Sequence, residues 1–160
     1  MLLYLMRHGE ALSAAEDSER ALSPLGVAQV QAAAKALRRL GIFPDFIAAS
    51  PKRRARQTAA LVAEAVNFPY SDIAVTSNLK PEADPADALA WLRKEESART
   101  LLLVGHLPQL PQLAALLVGC DAQLRLGTAG LCGIAVDDFV PGAGELHCLL
   151  TAEQLRLLAP

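Results

Sequence analysis

Two stretches of this chain are apolar without interruption: LLYLM at residues 2–6 and LLLV at residues 101–104. A strand with one wet face alternates polar and apolar residues. A continuous run needs cover on both faces, as in parallel sheets sandwiched between helices. The segments between such runs supply the cover. In SPLGVAQVQAAAKALRRLG, Ser23 reads as an N-cap, Pro24 as the first helical residue and Gly41 as the stop. DFIAAS reads as a strand, and SPKRRARQTAALVAEAV as a helix with Ser50 as cap and Pro51 in first position. IAVTS is a weaker edge strand, and Asp84-Pro85 open a third helix. PQLAALLVG reads as a fourth helix, followed by two strands near residues 131–137 and 145–150. The order βαβαβαβα, then β-rich, predicts an α/β/α three-layer sandwich, its sheet mostly parallel with an antiparallel edge.

Length and composition agree. The 160 residues predict one domain, residues 1–160, and 52% hydrophobic content suffices for a core. With 4% aromatic residues, that core is aliphatic. The formal net charge of −2, without a run of like charges, argues against nucleic acid as partner. Three cysteines, Cys120, Cys132 and Cys148, form no C-x-x-C pair; a reducing cytoplasm fits better than a disulfide framework. The apolar start is cut at Arg7 and His8, too short for a signal peptide or membrane span.

Both continuous runs end in histidine: the first in Arg7-His8-Gly9, the second in Gly105-His106. Ligands of parallel sheets bind beyond the carboxyl ends of the strands. Both histidines are therefore expected on one rim. FIAAS ends there too and delivers a helix whose first turn carries Arg54. Free N–H groups and the helix dipole attract anions to such a turn. Two arginines, two histidines and a helix N-terminus suit a dianionic phosphoryl group.

These residues resemble the histidine phosphatase superfamily, also called phosphoglycerate mutase-like. R-H-G corresponds to Arg7, His8 and Gly9; S-P-x-x-R-A-x-Q-T to Ser50, Pro51, Arg54, Ala55, Gln57 and Thr58; the later G-H to Gly105 and His106. Within it the chain is most similar to SixA-type phosphohistidine phosphatases. Asp17, Ser18, Arg20, Leu22 and Ser23 match their D-S-x-R-x-L-[ST], and His106-Leu107-Pro108 their H-L-P.

The resemblance implies a covalent mechanism. His8 is the expected nucleophile, forming a phosphohistidine intermediate that water hydrolyses. Arg7, Arg54 and His106, cationic once phosphate is bound, are expected to stabilise the transferring phosphoryl group. Gly9 is expected to let the backbone turn sharply towards the phosphate, and Leu107 to line the substrate site. Asp17 and Arg20 either orient substrate or form a loop ion pair. Gln57 and Thr58 read as packing and hydrogen-bonding residues. His147-Cys148 lacks the arginine that a cysteine-dependent phosphatase needs. No histidine pair has ligand spacing on one element, so no metal or cofactor is expected.

Many members protonate an alkoxide leaving group with a glutamate after the third strand. Here NLKPEADPADA offers Glu82, with Asp17 as a second candidate, and neither has motif context. Imidazole leaving from a P–N bond needs less help. The short segment after the third strand leaves no room for a lid. The expected function is hydrolysis of phosphohistidine on a phosphorelay protein, such as a histidine phosphotransfer domain, with no nucleic acid or membrane partner. The alternatives are a small-molecule phosphomonoesterase of the same superfamily and a catalytically inactive phosphoprotein-binding module.

Overall fold

The computed structural model describes residues 1–95, 97–120 and 124–159. Among them, six strands form one mixed sheet: β1 (Leu2–Arg7), β2 (Phe46–Ala49), β3 (Ala74–Val75), β4 (Thr100–Gly105), β5 (Leu131–Val136) and β6 (Gly144–Leu150). Five helices accompany it: α1 (Pro24–Arg39), α2 (Arg53–Val66), α3 (Pro85–Leu92), α4 (Gln109–Val118) and α5 (Ala152–Leu158). The strand order is β3-β2-β4-β1-β5-β6. The β3/β2, β2/β4 and β4/β1 pairs are parallel, whereas β1/β5 and β5/β6 are antiparallel. The expected α/β fold with an antiparallel edge is the fold observed.

The uninterrupted runs are covered on both faces. Tyr4 and Met6 of β1, with Leu102 and Val104 of β4, pack towards α1, α2 and α5. Leu3, Leu5, Leu101 and Leu103 face the opposite layer, built on α3 and α4. Each such side chain contributes about 1.5–3 kcal/mol by leaving water.

The chain departs from its sequence-based reading in two places. Ser50 is not a helix cap: α2 starts at Arg53, with Lys52 at the N-cap and no side-chain cap bond. Ser50 follows the end of β2, its N–H donating to Val104 O at 3.0 Å, and its hydroxyl is engaged elsewhere. The second departure is α5, absent from the sequence-based element order. Its signal was present as Thr151 and Gln154, which form a capping box. A helix this short relies on packing, here against α1, with Leu155 fully buried.

Candidate active site

The parallel register decides where the rim residues fall. Arg7 of β1 pairs with Gly105 of β4, so the next residues, His8 and His106, leave the sheet side by side. Their ring centroids are 5.0 Å apart. Gly105 is closely packed: a Cβ there would crowd Leu110 and the Leu79 carbonyl at 3.2 Å. Ala49 of β2 pairs with Val104, which brings Ser50 and the start of α2 to the same rim.

Hydrogen bonds fix the His8 ring. Nδ1 lies 2.7 Å from the carbonyl of Gly9. A carbonyl only accepts, so Nδ1 carries the proton and Nε2 keeps its lone pair. Arg54 Nε donates to that Nε2 at 3.2 Å. Burial, assisted by Arg54, Arg7 and Arg20, lowers the His8 pKa to about 4. The ring is therefore neutral at pH 7, as a nucleophile requires. Thr58 braces both partners: its hydroxyl donates to the Arg54 carbonyl at 2.8 Å and accepts from Gly9 N–H at 3.2 Å.

His106 is 2% exposed, with its pKa lowered to about 3 by burial first, then by His8, Arg54, Lys52 and Arg7. It is neutral as long as no anion is bound; a dianion beside it favours the cation. Its Nε2 sits 2.9 Å from Ser50 Oγ, itself fully buried. Its Nδ1 is buried without a partner. Arg7 donates through Nη1 to Leu126 O at 3.2 Å, while its buried Nε has no partner. The Leu126 loop also closes on β1 through Ala129 N–H, shared between the carbonyls of Arg7 and His8 at 3.1 Å each. Arg7 Nε and His106 Nδ1 thus retain capacity for a ligand, and such buried groups are costly to leave unpaired, whereas the lone pair of His8 Nε2 is held by Arg54.

The other expected residues distribute differently. Gly9 has no left-handed backbone; its glycine is needed because a Cβ would lie 2.7 Å from the Gly26 carbonyl of α1. Close packing of loop on helix, rather than a sharp turn, excludes a side chain. Asp17 and Arg20 form no ion pair with each other. The Asp17 carboxylate accepts from Ala21 N–H at 2.8 Å and Glu19 N–H at 3.2 Å, and faces Arg53 at 3.7 Å. Arg20 adopts φ 52° and donates to Leu12 O. Gln57 is tied to the Leu22 N–H at 2.8 Å. Leu107 is exposed beside Arg7 in an apolar groove of about 1210 Å³ that also runs past Pro111, Leu116 and Leu126. Glu82 is exposed in a turn. Among the described residues, the carboxylate that lines this groove is Asp84, whose Oδ1 accepts from Ala86 N–H at 2.8 Å and so caps α3. His147 is exposed on β6, away from the rim.

Sequence reasoning missed three contributors: Ser50 as partner of His106, the Leu126 carbonyl as anchor of Arg7, and Asp84 in the groove. Ser50 was masked by its resemblance to a helix cap. Leu126 acts through its backbone, which no side-chain pattern reveals. Among the described residues, no cluster of three or more histidine, cysteine, aspartate or glutamate side chains could hold a metal ion.

The family model of the histidine phosphatase superfamily (branch 1) matches residues 3–80. Phosphohistidine phosphatase SixA of Escherichia coli (strain K12) is 30% identical over 160 residues, covering 98% of each chain. An uncharacterized protein of Picosynechococcus is 38% identical over 167 residues, covering 100% of this chain and 97% of that one. The structure of the protein histidine phosphatase SixA complexed with tungstate superposes with a TM-score of 0.88 at 28% identity, covering 97% of this chain and 99% of the other.

Proposed function

The chain belongs to the histidine phosphatase superfamily, and we propose that its residues 1–160 form a single phosphatase domain that hydrolyses phosphohistidine on a protein of a bacterial phosphorelay in the cytoplasm. Phosphatase activity follows from membership and SixA similarity. The finer reading rests on one observation: among the described residues, no carboxylate hydrogen-bonds to His8, Arg7, Arg54 or His106. A neutral nucleophile with cationic donors, to which no carboxylate is bonded among the described residues, suits a P–N bond.

In this reading His8 Nε2 attacks phosphorus in line, and the P–N bond to the substrate imidazole breaks. The departing nitrogen takes its proton from solvent. Arg54 shifts its Nε donor from His8 to a phosphoryl oxygen, and Arg7 and His106 supply donors to the remaining oxygens. Water then attacks phospho-His8, releasing inorganic phosphate and restoring the free imidazole. The apolar groove beside Arg7 supports a protein substrate, because it offers a surface no free phosphate would use.

A second reading, a small-molecule phosphomonoesterase, is favoured by Asp84 lining that groove. Rapid quenching with a phosphohistidine carrier protein separates the two. Wild type should carry an acid-labile phosphoryl label that His8→Ala lacks, and Glu82→Gln and Asp84→Asn should change carrier turnover little. Loss of a true acid on an ester costs on the order of a hundredfold. Faster turnover of an aryl phosphate than of the carrier, with such a loss in Asp84→Asn, would replace the first reading by the second. Label retained in His8→Ala would remove His8 as nucleophile.

A further inference from the structure

The start of α2 is built against its own electrostatics. Lys52 occupies the N-cap, Arg53, Arg54 and Arg56 follow, and no acidic residue stands in the first turn. The positive end of a helix dipole favours acids there; each exposed cation costs about 0.3–1 kcal/mol at low salt. Arg54 is explained by His8. Its neighbours are not.

These cations line a depression of about 710 Å³ together with Arg20 and the exposed ring of Tyr70. Five of the chain's 15 lysines and arginines, Arg20, Lys52, Arg53, Arg54 and Arg56, meet here, although the chain as a whole carries −2. Among the described residues only Arg53 is paired with carboxylates, Glu19 at 3.1 Å and Asp17 at 3.7 Å. Arg20, Lys52 and Arg56 enter no ion pair among the described residues. Arg20 is held in place: its backbone is left-handed, its N–H donates to Asp17 O at 2.9 Å and its Nε to Leu12 O at 3.1 Å. A left-handed arginine costs roughly 1–2 kcal/mol, so the loop fixes this charge rather than letting it trail in solvent.

We propose that this surface docks an acidic segment flanking the phosphohistidine of the partner protein. The inference rests on the phosphohistidine reading above and adds where, and by what chemistry, the partner is recognised. The surface is continuous with the reaction centre through Arg54, 3.2 Å from the His8 nucleophile. One phosphoryl group is served by Arg7, Arg54 and His106, so cations lying beyond them need an anion that extends past the phosphate. Carboxylates beside the phosphohistidine meet that need, and Tyr70, Pro51 and Ala60 add apolar contact suited to a polypeptide. Complementary charge of this kind raises encounter rate and selects partners more than it raises intrinsic turnover.

Three synthetic peptides test this, each with one chemically phosphorylated histidine flanked by glutamates, glutamines or lysines. Wild type should show about tenfold higher kcat/KM on the glutamate peptide than on the glutamine peptide, carried mainly by KM. That preference should shrink between about 50 mM and about 300 mM salt, as exposed charges are screened. The Lys52→Gln/Arg56→Gln double variant should lose the preference, its kcat/KM on the glutamate peptide falling to its own value on the glutamine peptide. Equal kcat/KM on the glutamate and glutamine peptides, a preference for the lysine peptide, or an undiminished preference in the double variant would overturn the docking surface and leave the phosphohistidine reading intact. Failure on all three peptides alongside turnover of an aryl phosphate would overturn both. Inhibition by a short single-stranded DNA stronger than by the unphosphorylated glutamate peptide would also overturn it, reassigning the surface to polynucleotides.

Discussion

Ser50 shows how one buried hydroxyl can set the orientation of a neighbouring histidine ring. It accepts from Lys52 N–H at 3.3 Å and pairs with His106 Nε2 at 2.9 Å, which leaves His106 Nδ1 as the free ring nitrogen. Which nitrogen of a neutral imidazole holds the proton follows from what its other nitrogen contacts. In Ser50→Ala, His106 Nε2 loses its partner inside the protein. The stability cost should be about 1–3 kcal/mol. Turnover should fall roughly tenfold, the worth of one hydrogen bond, and Ser50→Thr should recover part of it. The discriminating readout is the ¹⁵N shift pair of His106: a single tautomer in wild type, a mixture in Ser50→Ala. An unchanged tautomer together with unchanged turnover would reduce Ser50 to a packing residue.

The position of His8 depends on how closely the loop after β1 sits on α1. Ser23 caps α1 through Gly26 N–H at 3.0 Å and also donates to Glu10 Oε1 at 2.8 Å, while Ser23 N–H donates to Glu10 O at 2.9 Å. The loop therefore rests on the first turn of the helix. Gly26 makes this possible: a Cβ there would stand 1.9 Å from the Glu10 carbonyl. Backbone has to move if it is filled. Gly26→Ala should lose on the order of 1–3 kcal/mol of stability by overpacking, despite alanine's better helix propensity. Because Glu10 follows Gly9, whose carbonyl holds His8 Nδ1, turnover should fall as well. A variant more stable than wild type by chemical denaturation, as propensity alone would give, contradicts this packing argument.

Burying two histidines among arginines makes the fold sensitive to pH. The unfolded chain protonates both imidazoles near pH 6.5, whereas the folded chain resists until about 4 for His8 and about 3 for His106. Between these values the unfolded state binds more protons, so stability falls as pH drops from about 6.5 towards 3 and is fully retained above 6.5. The urea midpoint should therefore be lower at pH 5 than at pH 7, and His8→Asn should narrow that gap. An equal gap in the variant would show that His8 is not a source of the acid sensitivity.

The sequence alone determined the α/β architecture apart from α5 and four of the side chains at the rim. Uninterrupted apolar runs as short as LLYLM, alternating with capped segments such as SPLG that mark helices, point to strands covered on both faces. Parallel strands put their ends on one side, so Arg7, His8, Arg54 and His106 could be gathered before any coordinates. Tertiary structure decided the rest, because each remaining feature depends on contacts between residues far apart in the chain. Only packing shows that Gly9 is glycine for the sake of Gly26, that Asp17 turns to Arg53 rather than Arg20, and that Ser50 serves His106. Only the fold brings Arg20 beside Lys52 and Arg56, since local spacing carries no information about which loop a helix terminus will meet.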